Sequence, residues 1–68
     1  MLNMVYTQFI DICTHEIYYE TNICNPTDEF IQSIFDNSLI PLSRDFTIEK
    51  IVEFKEHDLI RVYLGVKI

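Results

Sequence analysis

Residues 59–68 alternate without a break. Ile60, Val62, Leu64, Val66 and Ile68 face one way, and Leu59, Arg61, Tyr63, Gly65 and Lys67 the other. A two-residue period marks a strand with one face in a core. Residues 16–24 repeat the pattern, with Ile17, Tyr19, Thr21 and Ile23 opposed to Glu16, Tyr18, Glu20 and Asn22. The run from Leu2 to Cys13 admits two readings. As a strand it sets Tyr6, Gln8, Ile10 and Ile12 on one face; as a helix it lines up Leu2, Val5, Phe9 and Ile12. The strand reading makes a hairpin that must turn at Thr14-His15, although neither is a strong turn former.

Between residues 25 and 39 the period changes. Asn25 can cap a helix, Pro26 suits its first position, and Asp28 and Glu29 sit where the helix dipole favours negative charge. Phe30, Ile31, Ile34 and Phe35 form one helical face that Leu39 extends. Ile40 precedes Pro41 and is expected to be extended, which stops the helix near Asn37 or Ser38. After a connector over 39–46, Phe46, Ile48, Lys50, Val52 and Phe54 alternate with Glu49, Ile51, Glu53 and Lys55. A helix over 48–55 competes, because Glu49 and Glu53, and Ile48 and Val52, also fall at four-residue spacing. Glu56-His57-Asp58 reads as the loop of a second hairpin.

These elements predict an α+β domain: a two-layer β-hairpin–helix–β-hairpin (ββαββ), one helix packed on a four-stranded sheet, over residues 1–68. The alternative keeps the same core with a helical N-terminal segment. The composition leans toward strands, with no alanine, 11 isoleucines, 5 phenylalanines and 4 tyrosines in 68 residues. Those residues also share AT-rich codons.

Charge is unevenly placed. The net charge is −6, from 5 Lys and Arg against 11 Asp and Glu. Residues 1–43 carry no Lys or Arg and six acids (Asp11, Glu16, Glu20, Asp28, Glu29 and Asp36), whereas residues 44–68 balance five acids with five Lys and Arg. Such a chain repels phosphates, so neither bare nucleic acid nor an anionic membrane is an expected partner. No apolar run reaches the roughly 18 residues of a membrane span, and no basic-then-apolar leader opens the chain, so a cytoplasmic protein is expected. The two cysteines, Cys13 and Cys24, are then expected to be reduced.

Chemistry-bearing groups are few. Cys13, His15, Cys24 and His57 total the four ligands a zinc ion takes, but their spacing lacks tight knuckles, and whether they bind a metal stays open. Asp11, Cys13 and His15 crowd together in sequence without forming a recognisable nucleophile–base arrangement. A single glycine excludes a glycine-rich phosphate loop. The expectation is a non-enzyme without cofactor. Its candidate partner-binding residues are Glu16, Tyr18, Tyr19, Glu20, Asp28, Gln32 and Asp36: acids to meet a basic surface, tyrosines to anchor them.

In size, acidity and codon bias the chain resembles in type the small acidic inhibitors encoded by phages and plasmids, among them anti-CRISPR proteins and DNA mimics. That resemblance implies an inhibitor or decoy that binds the basic, nucleic-acid-binding surface of a protein. The alternative is an accessory subunit or homodimer that pairs through the C-terminal strand as a sheet edge. The element order is also similar in outline to small polymerase-associated proteins.

Overall fold

The computed structural model describes residues 4–67. Leu2 and Ile68, assigned above to the first and last strands, lie outside the described residues. Strands β1 (Met4–Asp11) and β2 (Ile17–Cys24) form an antiparallel hairpin. Helix α1 (Asp28–Ser38) and a short helix α2 (Ile40–Ser43) follow, and strands β3 (Phe46–Phe54) and β4 (Leu59–Val66) form a second antiparallel hairpin. The domain is thus α+β in ββαββ order, and the first segment is a strand.

The strands lie in the order β2-β1-β4-β3, with β1 and β4 parallel at the centre. This overturns the expectation that the C-terminal strand is a free edge. β4 is hydrogen-bonded on both sides, and the edges are β2 and β3. Its sequence is consistent with that place, because an interior strand carries apolar residues on both faces, here Ile60, Val62 and Leu64 on one and Leu59 and Tyr63 on the other.

Phe9, Ile23, Ile60, Val62 and Leu64 from the sheet meet Ile31, Phe35 and Leu39 from the helical segment in one buried cluster. Phe9, Val62 and Leu64 are 0 % exposed. Two β-bulges decide what else joins them. Along β1 the partner changes from Tyr19, opposite Phe9, to Ile17, opposite Ile10, which leaves Tyr18 as an extra residue. Tyr18 and Tyr19 therefore both pack against the core. The Tyr18 ring sits edge-on to Phe46 at 5.3 Å, and Tyr19 is tilted on Phe9 at 6.2 Å. The expected alternation, with Tyr18 beside Glu16 and Glu20 and away from Tyr19, fails for this reason.

The second bulge leaves Glu49 unpaired between Ile48 and Lys50. Phe46 and Ile48 pack on the core, whereas Lys50, Val52 and Phe54 pair with Tyr63, Arg61 and Leu59 on the opposite face. The expected grouping of all five residues on one face is broken at Glu49. Thr47 and Gly65 are paired beside the bulge, and the Glu49 side chain crosses over Gly65; a Cβ there would lie 2.5 Å from Glu49 Oε1. Gly65 thus leaves room for the acid that the bulge displaces.

Helix α1 starts later than the sequence suggests. Its N-cap is Thr27, whose Oγ1 accepts the Phe30 N–H at 3.1 Å. Asn25 instead takes a left-handed conformation, with φ 50°, and Pro26 precedes the cap. Phe30 departs from the expected apolar stripe and is 51 % exposed, because the residues that join the core cluster are Ile31, Ile34, Phe35 and Leu39. The helix ends at Ser38, within the expected range. Ile40 is not extended but opens α2, where Pro41 stands in a first turn that leaves its missing N–H unneeded.

Candidate binding surfaces

The turn between β1 and β2 is built around one carboxylate. Asp11 Oδ1 accepts the backbone N–H of Cys13 at 2.7 Å and of Thr14 at 3.0 Å, and Oδ2 accepts the Tyr18 hydroxyl at 2.9 Å. His15 takes the left-handed conformation that reverses the chain, with φ 63°, and its N–H bonds back to the Asp11 carbonyl. A side chain that gathers N–H groups replaces the glycine that such a turn usually employs. The bonds from Thr14, Cys13 and Tyr18 stabilise the ionised form and hold the Asp11 carboxyl below its ordinary value. The same bond to Asp11 raises the Tyr18 hydroxyl above its own. Asp11 is 8 % exposed and its oxygens are committed to the turn.

The predicted binding residues do not form one patch. Glu16 is exposed just before β2, while Tyr18 and Tyr19 are half-buried on the core side of the sheet. Glu20 pairs with Gln8 on the other side, where it accepts hydrogen bonds from the Tyr6 hydroxyl and from Gln8 Nε2. The bond from Tyr6, then burial and the Glu20 charge, raise the Tyr6 hydroxyl above its ordinary value. Asp28, Gln32 and Asp36 stay together on the exposed side of α1, where Gln32 Nε2 donates to Asp36 Oδ1 at 3.1 Å.

Two further residues belong with that helix surface. Glu29 is exposed seven positions before Asp36, two turns along the same side of the helix. Phe30 supplies the exposed aromatic that the tyrosines do not. The signal for Phe30 was present in the helical spacing, since it lies about 100° from Ile31 around the axis, but it was hidden by counting every apolar residue as core. No residue of α1 is basic.

A second surface is the sheet face away from the buried cluster. Three rows of paired residues cross it. One is Asn22–Tyr6–Leu59–Phe54, the next Glu20–Gln8–Arg61–Val52, and the third Ile17–Ile10–Tyr63–Lys50. Seven of these twelve residues are apolar or aromatic, an unusual load for the face that a half-buried sheet turns to water. Tyr6 is 37 % and Ile17 48 % exposed. Arg61 donates from Nε to Gln8 Oε1 at 3.2 Å and stacks its guanidinium over Phe54 at 5.3 Å. Lys50 Nζ lies 4.9 Å from the Tyr63 ring centre. Cation–π contacts of this kind keep both positive groups close to the face.

The soft ligands are scattered. Cys13 lies in the β1–β2 turn and Cys24 at the far end of β2; both are free, exposed thiols, and neither is the small buried residue that a lone cysteine usually is. A disulfide between them is excluded by the length of the hairpin. Among the described residues no three His, Cys, Asp or Glu side chains gather as a metal site would need. No helix is long and apolar enough to cross a membrane among the described residues. No protein-family model, curated protein or solved structure matches this chain.

Proposed function

We propose that this chain is a small, non-enzymatic acidic binding protein that docks the outer side of α1 onto the basic, nucleic-acid-binding surface of a protein partner. It would act as an inhibitor or decoy of the type that phages and mobile elements encode. In this reading the domain has two layers, with α1 on one side of the sheet and its acids turned outward. Glu29, Gln32 and Asp36 occupy places that phosphates hold in a basic groove, Asp28 reinforces them at the helix start, and Phe30 adds apolar contact area.

The observation that carries the reading is Asp36. It stands near the C-terminal end of α1, where the helix dipole disfavours negative charge, and no base in the last turn offsets it. Acids at a helix start stabilise the fold by themselves; an acid at the end does not, so partner attraction is a better account of it. Glu16, exposed just before β2, extends the negative field. Tyr18, Tyr19 and Glu20 leave the proposed contact set, because their side chains face the core or the opposite side of the sheet.

The test is capture of partners from a nuclease-treated host lysate with low-salt and high-salt washes, repeated with Asp28→Lys/Asp36→Lys. The reading expects a nucleic-acid-binding protein that is lost in high salt, lost with the reversed charges, and displaced by added DNA or RNA. Capture that survives both salt and charge reversal would overturn it.

A further inference from the structure

We infer that the sheet face away from α1 is the interface between two copies of this chain, packed face to face about a two-fold axis that runs along the strands. The acidic helix lies on the other side of the sheet and takes no part in this contact.

The face needs a cover. Tyr6 and Ile17 are exposed and Leu59, Phe54, Val52 and Tyr63 half-buried on it, around an Ile10 that is already buried. A sheet that met only water would place polar side chains at these positions, as alternation at an open face requires. Its central charges are separated across the strands. Glu20 is on edge strand β2, whereas Arg61 and Lys50 are on β4 and β3. Glu49, the acid on the β3 side, is turned over Gly65 beyond the Lys50 row and hydrogen-bonded to Thr47.

That separation selects both the occupant and its orientation. Two sheets packed face to face keep their strands roughly aligned. A two-fold axis along the strands lays β2 of one copy over β3 of the other and β1 over β4. Glu20 then lies above Val52 of the second copy, flanked by the second copy's Arg61 on the adjacent strand and its Lys50 on the same strand. Symmetry repeats the contact, so each copy gives one acid and two bases, and Tyr6 meets Leu59. An axis across the strands would instead set Glu20 over Glu20 and Arg61 over Arg61, which like charges oppose. A face whose charges are complementary to themselves under one two-fold is suited to an isologous pair.

The experiment is sedimentation equilibrium of the full chain from about 1 μM to about 1 mM, in low and high salt. A concentration-dependent dimer that weakens with salt without vanishing is expected, because apolar area remains when the charges are screened. Glu20→Lys places like charges beside Arg61 and Lys50 of the second copy and should weaken the dimer about tenfold or more. Adding Lys50→Glu to that variant should recover much of the loss. Asp28→Lys/Asp36→Lys, on α1, should leave the dimer unchanged, so a failure of the helix reading and a failure of this one are told apart. If Glu20→Lys does not fold by circular dichroism, Lys50→Glu alone, at an exposed side chain, asks the same question. A monomer at every concentration overturns the inference, and so does a dimer that either single reversal leaves intact.

Discussion

The Tyr18 hydroxyl donates to Asp11 Oδ2 at 2.9 Å, which ties the bulge in β2 to the carboxylate that shapes the preceding turn. The bulge that takes Tyr18 out of step with its neighbours also brings its hydroxyl to Asp11. One bond therefore fixes both the strand irregularity and the turn geometry.

The pair sets a pH window for stability. The Asp11 carboxyl is lowered in the folded chain, so its contribution is complete above the unfolded value of about 4 and is lost as pH falls through the lower folded value. The Tyr18 hydroxyl is raised, so its contribution is complete below about 10 and is lost as pH rises through the higher folded value. Asp11→Asn should lower stability at neutral pH and make the acid limb of a pH–stability curve shallower. Tyr18→Phe should keep the ring on Phe46 and make the alkaline limb shallower. Urea unfolding across pH reads both, with Tyr6→Phe as a control because Tyr6 is raised in the same direction.

Phe9 is 0 % exposed at the centre of the buried cluster, and Phe9→Ala should cost about 3–5 kcal/mol. Domains of this size have little reserve, so the variant should lose its cooperative thermal transition. A well-folded Phe9→Ala with near-native Tm would contradict the core described here.

Thr27→Ala removes the acceptor of the Phe30 N–H and should cost about 1 kcal/mol, whereas Asn25→Ala loses no cap and pays only for its left-handed backbone. Asn25→Gly relieves that conformation and should be neutral or slightly stabilising. Comparing the three by chemical denaturation separates a capping role from a backbone one.

The cap and the helix end show how much of this fold was legible in sequence. The strands over 16–24 and 59–68 follow from hydrophobic period, and the helix from period with its capping residues. Residues 2–13 and 48–55 fit a helix as well as a strand until pairing decides for β1 and β3. The start of α1 was misplaced because Asn25 and Thr27 are both good caps, and only the left-handed turn at Asn25 decides between them. The faces of Tyr18, Lys50, Val52 and Phe54 were misread because one extra residue in a strand reverses every side chain beyond it, and no residue type announces such a bulge. The interior place of β4 rests on pairing between residues at opposite ends of the sequence, about which local pattern says nothing. On the helix the acids are legible, but not their separation from Glu20, which depends on which face of β2 meets the core.

Gly65→Ala should be tolerated at a cost of about 1 kcal/mol, because the new Cβ meets the Glu49 side chain, a group able to swing aside, rather than backbone. The displaced acid would lose its bond from Thr47 Oγ1. Combining Gly65→Ala with Glu49→Ala should then cost less than the sum of the two single changes, a coupling that a double-mutant cycle measures.

Asp36→Asn removes charge from the C-terminal end of α1 while keeping an acceptor for Gln32, and should raise stability by about 0.3–1 kcal/mol. The same change should weaken capture of the proposed basic partner. A variant both more stable and less able to bind would separate the cost of Asp36 to the fold from its use at the surface.

The parallel centre of the sheet also dictates when this chain can fold. Gln8 and Arg61 are neighbours across β1 and β4 although 53 positions separate them. Before β4 is made, the first hairpin and α1 lack Ile60, Val62 and Leu64 from their core, and Phe9 has nothing to pack against on the β4 side until Val62 appears. Contacts of such long sequence separation make closure slow and all-or-none. Until β4 enters between β1 and β3, the acidic hairpin and helix hold only part of a core, and the domain closes only when that strand takes the middle of the sheet.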